Sequence, residues 1–267
     1  MSRSTRATVT GGRNAMKIDL ADPYRHVVST DRYLLLWQEE EVTKQKQMGP
    51  GLSIMEFEDT QPVRAGHSYQ HRRHYEGMYP VISTGQVVWY ESMLELQCLM
   101  QLEHAGDLAG ISTQPFCLVG PDRFRHYPDF FYRRGFDGAG VVVDVRAADR
   151  IDEGTRARYE LTAALCREVG WAYEVMHGLT SWAAMDLEWL SAFRHPRFAL
   201  ADPVLERLMP YITNPRPFDD AARLIDFRAP EAGKAALYHL MWTREVVTVS
   251  DGPLYEDMLI MAAEVAA

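Results

Sequence analysis

No lysine occurs between Lys46 and Lys234. Across that stretch every fixed cation is an arginine, whose guanidinium stays protonated, so a lysine amine acting as general base is excluded there. Cysteine is also scarce. Cys98, Cys117 and Cys166 are widely spaced and odd in number, which excludes a disulfide framework and a cysteine-built zinc site and suits buried thiols in a reducing cytoplasm. Positive charge falls short of negative: 28 Lys and Arg stand against 37 Asp and Glu, a net charge of −9. That balance argues against a protein that coats nucleic acid by bulk electrostatics. No apolar run approaches the roughly 18–20 residues of a membrane span, and no charged-then-apolar secretory signal opens the chain. A cytoplasmic protein with no membrane partner is expected.

What is present is a chain of 267 residues, 47% of them apolar. That is enough for one large domain or two small ones with a real core. The informative stretch is Arg125 to Arg146, RHYPDFFYRRGFDGAGVVVDVR. Phe130–Tyr132 and Val141–Val143 are aromatic and β-branched runs, and the turn formers Gly135, Asp137, Gly138 and Gly140 lie between them. The spacing predicts a pair of strands. Asp129, after Pro128, heads the first strand and Asp144 ends the second. Asp144 and Arg146 are two apart, so on a strand both project from one face. Two carboxylates beside a fixed cation suit metal-dependent phosphodiester cleavage. The competing reading is that strand-end carboxylates only cap turns.

Around that stretch the periodicity predicts further elements. Ser92 to His104 carries Leu94, Cys98, Leu99 and Leu102 at helical spacing. Gly110–Val119 reads as a strand, and Asp152–Val169 as a helix with Asp152 as N-cap and Gly170 at the C-terminal cap. Trp171–Met176 alternates as a last strand. The order is helix–strand–strand–strand–helix–strand. After Gly178 helices recur at Ser181–Phe193, Asp202–Ile212, Phe218–Ile225 and Glu231–Trp242, followed by two apolar runs around an Asp-Gly turn. Three parts are therefore expected: a disordered or extended tail over 1–30, a domain over 31–178 with its core at 90–176, and a mostly helical domain over 179–267. Between Asp31 and Gly85 only loops and a few strands are expected.

Basic residues form two islands, Arg72 and Arg73, and Arg123, Arg125, Arg133 and Arg134. His67, His71 and His74 have no cysteine or carboxylate nearby at structural metal spacing, which leaves a basic, phosphate-touching loop as the better reading. Glu95 sits within the apolar stripe of its helix, where a carboxylate is costly without a task. Glu91 and Glu103 compete with it at spacings of four and eight. Gln114 could orient a phosphate or a water, or pair with a neighbouring group. Arg158, on the second helix, is a further candidate cation, or a solvated helix face.

YESMLE, ISTQPF, HYPDFF and VVVDVRAADR, in this order, resemble the TnsA-like endonuclease subunits of heteromeric transposases, members of the restriction-endonuclease-like PD-(D/E)xK superfamily. The resemblance covers about Tyr90 to Met176, and extends weakly to LYHLMW and the terminal hairpin. It implies an α/β fold: a mixed-sheet αβββαβ core followed by a mostly helical, winged-helix-like domain. It also implies an Mg²⁺-dependent DNA endonuclease subunit, with Mn²⁺ able to substitute, that nicks one strand to free the 5′ ends of a transposon. Its partners would be double-stranded transposon ends, an integrase-type transposase and, through the C-terminal domain, an ATPase regulator. By the same resemblance Glu95, Asp129 and Asp144 are metal and catalytic residues and Arg146 takes the position of the family's lysine. Gln114, Arg125, Arg133, Arg134 and Arg158 are the candidate DNA or phosphate contacts. The arginine at the lysine position keeps open a second class of function, a catalytically silent adaptor that binds transposase or DNA and regulates assembly.

Overall fold

The computed structural model describes residues 30–263 except 41, 65–74, 250–251 and 256. The expected N-terminal tail up to residue 29, and His67, His71, Arg72, Arg73 and His74, lie outside the described residues. The chain divides into two compact units after Gly178, each mixed or mostly helical, with six α-helices in all among the described residues. Among those residues no helix is long and apolar enough to cross a membrane.

The first unit begins with Leu34–Glu39 (β1) and Val42–Gln47 (β2), paired antiparallel in full register from Leu34↔Gln47 to Glu39↔Val42. Gly77–Pro80 (β3) and Val87–Tyr90 (β4) form a separate hairpin. The region before Gly85 thus holds a few strands among loops, with β1 and β2 in full register. The run LLLW supplies alternating buried positions, Leu35 and Trp37, and a strand of that kind needs a partner for its backbone.

The remaining elements are Met93–His104 (α1), Leu108–Thr113 (β5), Cys117–Val119 (β6), Arg125–His126 (β7), Phe130–Arg134 (β8), Gly140–Val145 (β9), Glu153–Val169 (α2) and Ala172–Met176 (β10). The single strand expected over Gly110–Val119 is in fact two. Gln114 takes a left-handed φ of 45° and Pro115 follows it, without a backbone N–H for the ladder. β5 therefore stays in one sheet, ordered β10-β9-β8-β5, while β6 joins another, ordered β2-β1-β6-β7. In the first of these β9 and β10 run parallel, as a crossover through α2 allows, and the other neighbours are antiparallel.

Alternation along β8 and β9 serves two cores. Phe130, Tyr132, Val141 and Val143 pack with Cys98, Leu99 and Leu102 of α1. Phe131 and Val142 pack with Leu165, Cys166 and Val169 of α2, with Trp171 and with Leu35 and Leu118 of the β2-β1-β6-β7 sheet. A strand pair buried on both faces reads as a continuous apolar run, as FFY and VVV do. Asp152 caps α2 by accepting from Thr155 N at 2.7 Å, and Gly170 ends it at φ 90°, which only glycine adopts without strain.

The second unit comprises Ser181–Ser191 (α3), Asp202–Tyr211 (α4), Arg216–Pro217 (β11), Phe218–Ile225 (α5), Pro230–Trp242 (α6), Val246–Thr248 (β12) and Leu259–Ala262 (β13). The three short strands form a sheet ordered β11-β13-β12. The apolar runs after α6 do pair antiparallel, and Asp251 of the expected Asp-Gly turn lies outside the described residues. The chain from 249 to 258 separates them, and Leu254 N donates to the Asp186 carboxylate at 3.1 Å. α5 and α6 approach so closely at Gly233 that a Cβ there would lie 2.2 Å from Ala222 O.

Candidate functional site

Asp129 and Asp144 are brought together where β8 begins and β9 ends. Asp129 N donates to Val143 O at 3.0 Å, which continues the β8–β9 ladder by one residue. Its side chain turns back onto the same strand, and Oδ2 accepts from Val145 N at 2.6 Å. Burial pushes the Asp129 carboxyl well above the usual range. Asp144 pushes it further, the Val145 N–H pulls the other way, and Glu95 and Glu91 add weaker upward pushes. The carboxylates of Asp144, Glu95 and Glu91 thus all act on Asp129 in the same direction.

Asp144 is only 3% exposed. A charge so buried needs partners, and it has two that the sequence did not reveal. His126 Nε2 lies 2.8 Å from its Oδ2, and the Tyr173 hydroxyl donates to the same oxygen at 2.5 Å. Burial first, and Asp144 second, push the Tyr173 hydroxyl well above its ordinary value, so it keeps its proton and acts as donor. The Tyr159 ring of α2 stands 6.2 Å from both the His126 and the Tyr173 rings, closing the network from the helix side. His126 arrives from β7, in the other sheet, and Tyr173 from β10, opposite Val142. The only local signals were a histidine three residues before Asp129 and a tyrosine in an alternating strand.

Glu95 also makes local contacts at the start of its helix. Ser92 Oγ accepts from Glu95 N at 3.2 Å and donates to Glu95 Oε1 at 2.9 Å, while Glu91 N donates to Glu95 Oε2 at 2.8 Å. This resembles the reciprocal capping of S-x-x-E at a helix start, with the back-contact made to Glu91 N rather than to the N-cap N–H, and each carboxylate oxygen accepts one bond. Burial raises the Glu95 carboxyl, opposed by those Glu91 and Ser92 bonds. Glu91 accepts from Arg64 at 2.7 Å and from Gln114 Nε2 at 2.8 Å. Glu103 is buried and holds Tyr79, Ile82 N and Ser83 N. Gln114 spends its amide N–H on Glu91, and its buried Oε1 has no hydrogen-bond partner. One of its two amide N–H donors is used in this way, and what remains is the second N–H and the Oε1 acceptor.

Of the candidate cations, Arg133 is committed to the fold. It grips Glu58 through Nε and Nη2 at 2.9 and 3.0 Å and donates to Met55 O at 2.7 Å. Arg134 is paired with Asp137 at 2.8 Å, on the turn. Arg125 is exposed on β7 and interacts with Tyr127. Arg146 lies one residue past β9, exposed, with Nε donating to Arg150 O at 3.3 Å. Burial first, then Asp144 and Asp129, push the Tyr159 hydroxyl up, and Arg146 and Arg158 oppose them.

The Mg²⁺ that the resemblance implies can be tested against these donors. Among the described residues no group of three or more His, Cys, Asp or Glu side chains could hold a metal ion, so Glu95, Asp129 and Asp144 do not form the expected trio of ligands. Mg²⁺, however, ordinarily takes only one or two carboxylates from a protein and completes its shell with waters and substrate phosphates. Asp129 and Asp144 fit that need. Each has Oδ2 anchored, and among the described residues neither Oδ1 receives a hydrogen bond. No protein-family model matches the chain, and no curated protein matches it in sequence.

Proposed function

We propose that this chain is a metal-dependent DNA endonuclease subunit of a heteromeric transposase, acting in the cytoplasm to nick one strand at each transposon end. In this reading residues 31–178 are a restriction-endonuclease-like domain, and residues 179–267 are a winged-helix-like domain that docks an integrase-type transposase or an ATPase regulator. The observation that carries it is the pair Asp129 and Asp144 at one strand end, each with one oxygen anchored and the other unengaged.

Those two carboxylates would hold Mg²⁺ or Mn²⁺. Bound there, the ion supplies an activated water and neutralises phosphate charge. Arg146 contributes positive charge to the scissile phosphate and cannot serve as base, because its guanidinium stays protonated. Arg158 adds to the same field. The net charge of −9 opposes approach to a polyanion, so DNA is delivered by the partner proteins rather than captured by this subunit.

A second reading has its own observation. Glu95 is spent on the helix cap, and an arginine stands at the lysine position of the resembled family. Both suit a catalytically silent adaptor. Strand nicking at transposon ends, with Mg²⁺ and the reconstituted partners, separates the two. Asp129→Ala is expected to abolish nicking while sparing partner binding. Wild-type protein that supports transposition no better than Asp129→Ala overturns the enzyme and leaves the adaptor.

A further inference from the structure

Asp144 is held from two sides through a single oxygen. Tyr173 from β10 and His126 from β7 both meet Oδ2, at 2.5 and 2.8 Å, and they come from two different sheets. His126 is 7% exposed, and the Tyr159 ring centroid lies 6.2 Å from the centroids of both rings. A free aspartate rotates about its last torsion, and its two oxygens exchange roles. Here that rotation would break two hydrogen bonds, one to a buried histidine and one to a part-buried tyrosine, so the carboxylate keeps one orientation. The cost of burying Asp144 is met wholly on the Oδ2 side, which leaves Oδ1 as the one oxygen able to serve a ligand.

We infer that His126 and Tyr173 are positioning residues that clamp Oδ2 of Asp144 so that Oδ1 is presented to a divalent cation. The inference rests on the reading of Asp129 and Asp144 as cation ligands. It adds two residues to the site, and a reason for their placement: outer contacts that orient a ligating carboxylate are worth about 10–100-fold in metal affinity. A purely structural role predicts something else. The same contacts would then contribute to folding alone, and the folded variants would bind a cation as wild type does.

The test is calorimetric titration of the full chain with Mn²⁺, well below the unfolding temperature, for wild type, Asp144→Asn, Tyr173→Phe and His126→Phe. Wild type is expected to bind and Asp144→Asn to lose binding. Tyr173→Phe and His126→Phe are expected to bind about 10–100-fold more weakly with unchanged stoichiometry. Wild-type affinity in both ring variants overturns the clamp and leaves the cation reading standing. Absence of Mn²⁺ binding by wild type overturns both. Where one ring variant fails to fold, the other decides, and failure of both marks the contacts as structural and overturns the clamp.

Discussion

The two ends of β8 carry opposite solutions to the same problem of placing charge beside a core. At its far end Arg133 is satisfied completely. It pairs bidentately with Glu58, donates to the carbonyls of Met55 and Gly138, and lies 5.3 Å from the Phe131 ring centroid. At its near end Asp129 faces Asp144, Glu95 and Glu91, and its carboxyl is pushed up accordingly. A fold gains nothing from crowding like charges when it could pair them. The paired end secures the fold, and the crowded end is where the proposed cation site lies.

The contrast is broken most severely at the paired end. Arg133→Ala leaves Glu58 without its partner in a site where both side chains are mostly buried, 15% and 13% exposed. A loss of about 3–5 kcal/mol is expected from chemical denaturation. A change below about 1 kcal/mol would show that this end is not the anchor of the strand.

At the crowded end the sign reverses. Removing the Asp129 charge by Asp129→Asn is expected to stabilise the metal-free protein at neutral pH by roughly 0.5–2 kcal/mol, the range of typical stabilising changes. The protonated Asp129 carboxyl contributes stability that is fully present below the ordinary value of 3.8 and is lost as pH rises through its raised folded value. The advantage of the Asn variant should accordingly widen with rising pH over that window. Thermal unfolding at a series of pH values checks it, and an advantage that narrows would contradict the assignment.

Glu95 lies between the two cases, near the acids yet bonded as a cap. Ser92→Ala should cost about 1 kcal/mol, whereas Glu95→Gln, which keeps the capping pattern, should leave both stability and nicking close to wild type. Nicking lost in a stable Glu95→Gln protein would restore Glu95 to the site. The smallest effect is expected at Arg134, whose partner Asp137 is 35% exposed on the turn. Arg134→Ala should change stability by less than about 1 kcal/mol, and the salt dependence of unfolding only slightly.

The strand pair, both helices around it and the caps at Asp152 and Gly170 were legible because each rests on local chemistry: apolar alternation, helical spacing, an N-cap and a left-handed C-terminal glycine. Asp129 and Asp144 were legible for the same reason, as acids at the ends of adjoining strands. The break at Gln114 was not. Its left-handed backbone belongs to a chain that leaves one sheet for another, a choice made by the strands already waiting there. The SMLE stretch carries two readings at once: the capping pattern Ser92-x-x-Glu95 is written in the chain and forms, while the burial of Glu95 suggested a cation-binding task.

By itself, then, the sequence determined which residues lie on strands and helices, where the chain changes character after Gly178, and that a lysine base is absent from the central stretch. Only the tertiary structure decided which charges are paired. Arg133 meets a glutamate 75 residues away, and Asp144 meets His126 and Tyr173 from two sheets. Pairing depends on distance in space, which falls off within a few ångströms, and no periodicity along the chain encodes a contact between elements that separate turns and sheets have brought together.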